Sequence, residues 1–265
     1  MDLQLRGKTA LVTGSTAGIG YAIAQALAAE GARVIVNGRG AATVEGVVQR
    51  LRATLGAQAQ LVGCAADLGT PEGCAALTAQ HPTLDILVNN LGIFEPKAFE
   101  AIGDEDWLRF FEVNVMSGVR LSRHYLPRMK GAGWGRIVFI SSESALCPPA
   151  EMVHYGMTKT AQLAVARGMA ETTTGTGVTV NSVLPGPTRT EGVEAFFATL
   201  AAEHGQSPEA FTQHFFAQAR PTSILKRLID PAEVAAVVAF VCSPQAAAMN
   251  GAAVRAEGGV VRCIG

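Results

Sequence analysis

Seven short apolar runs punctuate the chain, at 9–13, 33–37, 59–63, 86–89, 136–141, 179–184 and 253–256, and none alternates polar with apolar positions. A strand covered by helices on both faces has this pattern, as in a parallel sheet. Helical patterning fills the intervals near 18–30, 41–55, 71–80, 104–130, 153–174 and 231–242. The last of these opens on Asp230-Pro231-Ala232-Glu233, with Asp230 as cap, Pro231 in the first turn and Glu233 as the capping-box partner. Repeated strand–helix units with right-handed crossovers predict an α/β fold, a doubly wound parallel seven-stranded sheet with helices on both faces. Ligands should then bind beyond the carboxyl ends of the strands, near the switch point.

One stretch breaks the rhythm. Residues 190–228 carry Phe196, Phe197, Phe211, Phe215 and Phe216, expected on short helices, between the sixth strand and the last helix. Such an excursion either packs its phenylalanines on the domain as an ordinary hairpin or covers the ligand crevice. Its length in a compact α/β domain favours a substrate-lid insertion.

Composition narrows the picture further. No linker, repeat or low-complexity tract interrupts residues 1–265, so a single domain is expected. Apolar residues make up 49% and charged residues 16%, which favours a large core over disorder. A net charge of −1 without a basic run argues against a nucleic-acid partner. Cys64, Cys74, Cys147, Cys242 and Cys263 are scattered, without metal-ligand spacing, and read as buried free thiols in a reducing compartment. The amino terminus lacks the apolar run of a signal peptide, and no stretch is long enough to span a bilayer. A cytoplasmic protein with no metal and no membrane partner is the expectation.

Candidate chemistry begins directly after the first apolar run, in Thr13-Gly14-Ser15-Thr16-Ala17-Gly18-Ile19-Gly20. Glycines between a buried strand and a helix let backbone N–H groups approach a pyrophosphate where the helix dipole is positive. A tight turn can also want glycine for packing alone. Gly14, Ser15, Thr16, Gly18, Ile19 and Gly20 are the cofactor-binding candidates. At the end of the second run, Asn37-Gly38-Arg39 offers an arginine fork and no carboxylate between positions 33 and 44. An acid there suits the ribose hydroxyls of NAD, whereas a cation suits a 2′-phosphate, so Asn37 and Arg39 favour NADP(H), with NAD(H) as the alternative.

Tyr155 and Lys159 lie four apart at the start of a helix and so share one face, about 6 Å apart along the axis. A free phenol has a pKa near 10, and an adjacent ammonium is expected to lower it toward useful proton exchange. Ser142 closes the fifth run, where its hydroxyl can bond a substrate oxygen or simply cap a turn; Ser141 is the neighbouring candidate. Asn114 falls on the helical stripe of Trp107 and Phe111, either to tie down a bend or to hold water near Lys159.

These pieces, in this order, resemble the short-chain dehydrogenase/reductase family in its single-domain, Rossmann-like form of roughly 250 residues. The likeness runs over nearly the whole chain. It rests on the glycine loop, Asp67-Leu68, Asn89-Asn90-Leu91-Gly92, Asn114, Ser142, Tyr155-Gly156-Met157-Thr158-Lys159, Asn181-Ser182-Val183 and Pro185-Gly186-Pro187-Thr188-Arg189-Thr190. The resemblance implies that Tyr155 is the acid/base, Ser142 orients the reacting oxygen, and Lys159 tunes Tyr155 and binds the nicotinamide ribose. It places Asn114 in a proton-relay water site, Asp67 beside the adenine amino group and Asn89 near the adenosine ribose. Leu68, Leu91, Gly92, Pro185 and Gly186 would line the cofactor, with Thr188 and Thr190 reaching its carboxamide or phosphates. Leu91 stands where the family usually has alanine, Glu257 where aspartate is common, and Ala17 where many NADP-dependent members carry a cation.

Glu143, Ser144 and His154 flank the catalytic set and are candidates for substrate contact, although His154 points about 100° away from Tyr155 around the helix. The implied activity is interconversion of a secondary alcohol and a ketone on a small-molecule substrate with an apolar part. A 3-oxoacyl-thioester reductase, a polyol or sugar dehydrogenase, and a catalytically silent dinucleotide sensor are the alternatives. The resemblance also implies a homotetramer or homodimer, through the long helices and the last strand.

Overall fold

The computed structural model describes residues 2–203 and 205–264. Seven strands form one parallel sheet: β1 (Thr9–Val12), β2 (Arg33–Gly38), β3 (Leu61–Ala65), β4 (Ile86–Asn89), β5 (Gly135–Ile140), β6 (Val178–Pro185) and β7 (Ala253–Ala256). Their spatial order is β3-β2-β1-β4-β5-β6-β7, so the switch point lies between β1 and β4. Every residue of β4, β5 and β6 is buried, which explains the missing polar alternation.

Successive strand residues serve opposite cores. Val12, Val34, Val36, Val88 and Val138 face α1 (Gly18–Ala29), α2 (Ala41–Leu55) and α9 (Pro231–Val241). Leu11, Ile35, Leu87, Ile137 and Phe139 face α3 (Pro71–Gln80), α5 (Ser117–Ala132) and α6 (Val153–Glu171). Each such fully buried side chain contributes roughly 1.5–3 kcal/mol by leaving water.

The expected elements form, with three differences: α6 stops at Glu171, three residues short of its helical pattern, and two others follow. The third strand runs two residues later than its apolar run, because pairing with β2 continues through Gly38↔Ala65 at the carboxyl end. The long helix expected over 104–130 is α4 (Asp104–Phe111) and α5, joined by a π-helical turn at Glu112–Met116. That wide turn changes which residues face inward: Phe110 and Asn114 are buried, while Phe111 is exposed. At α9, Asp230 accepts from the Ala232 N–H and Glu233 accepts from the Asp230 N–H, as the sequence predicts.

The excursion contains α7 (Glu191–Glu203) and α8 (Pro208–Gln218). Its phenylalanines pack on one another rather than on the sheet, in a separate cluster of Phe197, Ala201, Phe211, Phe216 and Leu228. His204, within this segment, lies outside the described residues.

Candidate active site

The glycine loop turns sharply out of β1 beside the end of β4. Gly14 and Gly18 adopt φ of 60° and 54°, a conformation that favours glycine. A Cβ on Gly20 would meet Asn90 Nδ2 and Gly14 O at 2.5 Å, so this position has no room for a side chain. The loop is pinned by amides. Asn37 accepts from the Gly14 N–H at 3.1 Å and donates to the carbonyls of Cys64 and Ala66. Both Asn37 amide hydrogens are thus spent inside the protein. Asn90, absent from the candidate set, donates to the carbonyls of Thr13 and Gly14. Its place in the Asn89-Asn90-Leu91-Gly92 motif was the available signal.

At the head of α1, the Gly18 N–H donates to a carboxylate oxygen of Glu191 at 2.9 Å. That helix terminus therefore takes an anionic oxygen, as its dipole favours. Glu191 is 173 residues away in sequence, and no local pattern announces it. Ser15 is buried and bonds Val12 and Asn37, while Thr16 and Ile19 are partly buried on the same turn. Arg39 is exposed at the end of β2 and makes no ion pair among the described residues. Asp67 is exposed and accepts from the Gly69 N–H, whereas Leu68 is a core residue. Asn89 is buried and donates to Ser122, and its Oδ1 has no hydrogen-bond partner among the described residues. Leu91 is partly buried beside Gly14, and Gly186 packs against the Glu257 backbone at the end of β6, next to Pro185. Thr188 donates to the Gly186 carbonyl, and the Thr190 methyl packs against Gly18.

Ser142, Tyr155 and Lys159 meet at the carboxyl end of β5. The buried Lys159 ammonium donates to the Ile140 carbonyl at 2.9 Å and lies 5.5 Å from the Tyr155 ring centre. Ser141 donates to the Lys159 carbonyl, which fixes α6 against β5. Ser142 donates to Glu143 Oε2 at 2.5 Å and accepts from the Ser144 N–H at 3.1 Å. Asn114 exchanges two hydrogen bonds with the Ile93 backbone and donates to Thr158, while its own carbonyl accepts from Gln162. The amide thus ties down the π-helical turn. A Cβ on Gly92 would sit 3.5 Å from both Asn114 Oδ1 and Lys159 Nζ, which brings these groups to one spot.

The electrostatics differ from the expectation. Burial raises the Tyr155 phenol above its ordinary range and the Glu143 charge adds to this, with Ser142 and Arg220 opposing. Lys159 is itself brought down to about 8 by burial, with Glu143 opposing. Desolvation outweighs the effect the sequence spacing suggested. Glu143 is buried and paired to Arg220 at 3.3 Å; Arg220 reaches Glu151 at 3.2 Å with its other arm. This contact was not legible from the chain, since Arg220 follows α8 in the excursion. Beside it lies a cavity of about 380 Å3 lined by Cys147, Pro148, Pro149, Pro221 and Val260, with Glu151, Arg220 and Arg262 among its polar groups.

Ser144 is buried with its N–H on Ser142, and His154 is a core residue. The His154 ring centre is 4.0 Å from that of Phe110 and 6.0 Å from that of Trp107, and burial holds its pKa down. Among the described residues no group of three His, Cys, Asp or Glu side chains could hold a metal ion, and no helix is long and apolar enough to cross a membrane.

Similar proteins share this arrangement of chain. The chain is 53% identical over 264 residues to the uncharacterized oxidoreductase YvaG of Bacillus subtilis (strain 168), covering all of both chains. It is 34% identical to the 3-oxoacyl-[acyl-carrier-protein] reductase FabG of Vibrio cholerae serotype O1, covering 97% of this chain and 99% of that one. The crystal structure of L-sorbose reductase from Gluconobacter frateurii, complexed with NADPH and L-sorbose, superposes over both full chains with a TM-score of 0.92 at 29% identity. A family model described as short chain dehydrogenase matches residues 8–201, and with the parallel sheet and the glycine turn at its switch point it makes this chain a member of the short-chain dehydrogenase family of oxidoreductases.

Proposed function

We propose that the protein is an NADP(H)-dependent oxidoreductase that interconverts a ketone and a secondary alcohol on a small molecule with an apolar part. The observation that carries this reading is the meeting of Ser142, Tyr155 and Lys159 at the carboxyl end of β5, beside the switch point. The cofactor fits the residues present: the Gly18 N–H binds an anionic oxygen, and Arg39 stands exposed where a 2′-phosphate reader belongs. When bound, NADP(H) supplies the hydride chemistry through its nicotinamide ring. Tyr155 gives its phenolic proton to the ketone oxygen, or takes one from the alcohol; Ser142 orients that oxygen. Lys159, cationic and close to the phenol ring, stabilises the phenolate left behind.

The excursion 190–228 acts as a substrate lid in this reading, supported by the Arg220 contact with Glu143 and by the apolar lining of the adjoining cavity. Exposed Leu108 and Phe111 on α4 and Phe240 on α9 suit a homodimer or homotetramer in the cytoplasm. The test is a spectrophotometric assay with NADPH and three ketones: L-sorbose, an acetoacetyl thioester and cyclohexanone. Turnover that falls about 10³-fold in Tyr155→Phe supports catalysis. Tight NADPH binding with no turnover on any ketone marks a dinucleotide sensor instead. Arg39→Ala should lose about tenfold of the preference for NADPH over NADH; an unchanged preference removes Arg39 from the 2′-phosphate site.

A further inference from the structure

The Ser142 hydroxyl has one hydrogen, and that hydrogen is donated to Glu143. One of its two lone pairs accepts from the Ser144 N–H, which leaves a single lone pair for the reacting centre. In this arrangement Ser142 can accept from an alcohol, and it can donate to a ketone oxygen or to the Tyr155 phenolate only once its hydrogen leaves Glu143. Arg220 binds the other oxygen of the same carboxylate and arrives from the end of the helical excursion, 77 residues away. The carboxylate is thus shared between a hydroxyl at the centre of the site and a guanidinium carried by the segment that borders it.

We propose that Glu143 is a positioning residue that holds the Ser142 hydrogen away from the reacting oxygen, and that Arg220 sets how firmly it does so. The proposal rests on the oxidoreductase reading above and adds to it a control of which partner, ketone or alcohol, the serine greets. A guanidinium drawn closer to Glu143 weakens its hold on the serine hydrogen, which then turns toward a ketone oxygen. No bond is made or broken in this step; only the orientation of one hydroxyl changes. Glu143 is faced by Ser142 on its own strand-to-helix connection, by Tyr155 and Lys159 from α6, and by Arg220 from the excursion, whose far side is paired to Glu151. The Glu143 charge opposes ionisation of the phenol and supports the Lys159 ammonium, so neutralising it moves both titrations to lower pH.

Glu143→Gln keeps the shape and the acceptor while removing the charge. Its decisive readout needs no turnover: tyrosinate absorbance near 295 nm, measured at about pH 10.5 on the NADP⁺-loaded protein, minus the same measurement on the matching Tyr155→Phe background. The difference should be about threefold larger in Glu143→Gln than in wild type. Equal differences overturn the proposal, whatever the kinetics, because a merely structural role would leave the phenol unmoved. In the kinetic arm, Arg220→Met should raise KM for cyclohexanone about fivefold with a smaller change in kcat, and Glu143→Gln/Arg220→Met should restore it. A KM that does not respond to Arg220→Met removes Arg220 from the proposal. Failure of every ketone with the optical difference intact would instead count against the oxidoreductase reading.

Discussion

The seven-stranded sheet and the helical excursion are both held by buried apolar side chains, yet they are built on different scales. The sheet buries Leu11, Leu87 and Ile137 completely and Phe139 almost so, in clusters that take in helices on each face. The excursion closes a small cluster of its own, in which Phe197 and Phe211 keep 6% and 7% of their surface exposed. Its polar attachments to the body include Glu191 on the Gly18 N–H and Arg220 on Glu143. Further anchors tie it to the carboxyl-terminal stretch and to α9: the Thr222 hydroxyl donates to the Val260 carbonyl, the Ile224 and Leu225 N–H groups donate to the Gly258 carbonyl, and Arg227 pairs with Glu233. In the lid reading proposed above, 191–218 opens on these anchors while the elements that fix Ser142, Tyr155 and Lys159 stay in place.

The largest expected effect separates the two cores directly. Leu87→Ala should cost roughly 2–5 kcal/mol of global stability in denaturant titration, since the central strand has no freedom to collapse around the cavity. Phe197→Ala should instead speed hydrogen exchange and proteolysis across 191–218 while it moves the global midpoint by less than about 1 kcal/mol. Equal midpoint shifts would make the excursion part of the main core. A smaller effect is expected at the anchor: Glu191→Gln removes a carboxylate that competes for an anion-binding helix terminus. NADPH should then bind about threefold tighter by calorimetry; weaker binding would make Glu191 a support for the loop.

The smallest effect is a pH dependence where the two regions join, at Arg227 of the excursion and Glu233 of α9. The Arg227 ion pair and the Asp230 N–H hold the Glu233 carboxyl at about 2, below its ordinary 4.5. Because the folded value is the lower one, this contribution is complete above pH 4.5 and disappears as pH falls toward 2. Glu233→Gln should flatten that part of the acid stability curve; an unchanged curve would show the exposed pair to be inert.

The strands and the carboxyl-end location of the site were readable because burial on both faces leaves a plain mark in composition, and because a four-residue spacing fixes Tyr155 and Lys159 on one helical face. What escaped the sequence depends on contacts across long separations. The third strand shifted because its partner sets the register, and the π-helical turn arose where Asn114 is drawn toward Ile93. Glu191 and Arg220 reach the body from the excursion, whose path no periodicity encodes. The phenol moved opposite to expectation because spacing reports neighbours but not desolvation. Phenylalanines could be counted in the chain, but not the fact that they would choose one another.

The wide turn between α4 and α5 carries a consequence for chain length. Removing one residue from Glu112–Met116 would restore a regular helix and leave every face after it in place, because a π turn is an α-helix that has absorbed one extra residue. Leu121, Tyr125 and Met129 would stay on the sheet, while Asn114 would lose its grip on Ile93. A further insertion has no such outlet and would swing the following helix by about 100°. The stretch bears the loss of its extra residue far better than the gain of another.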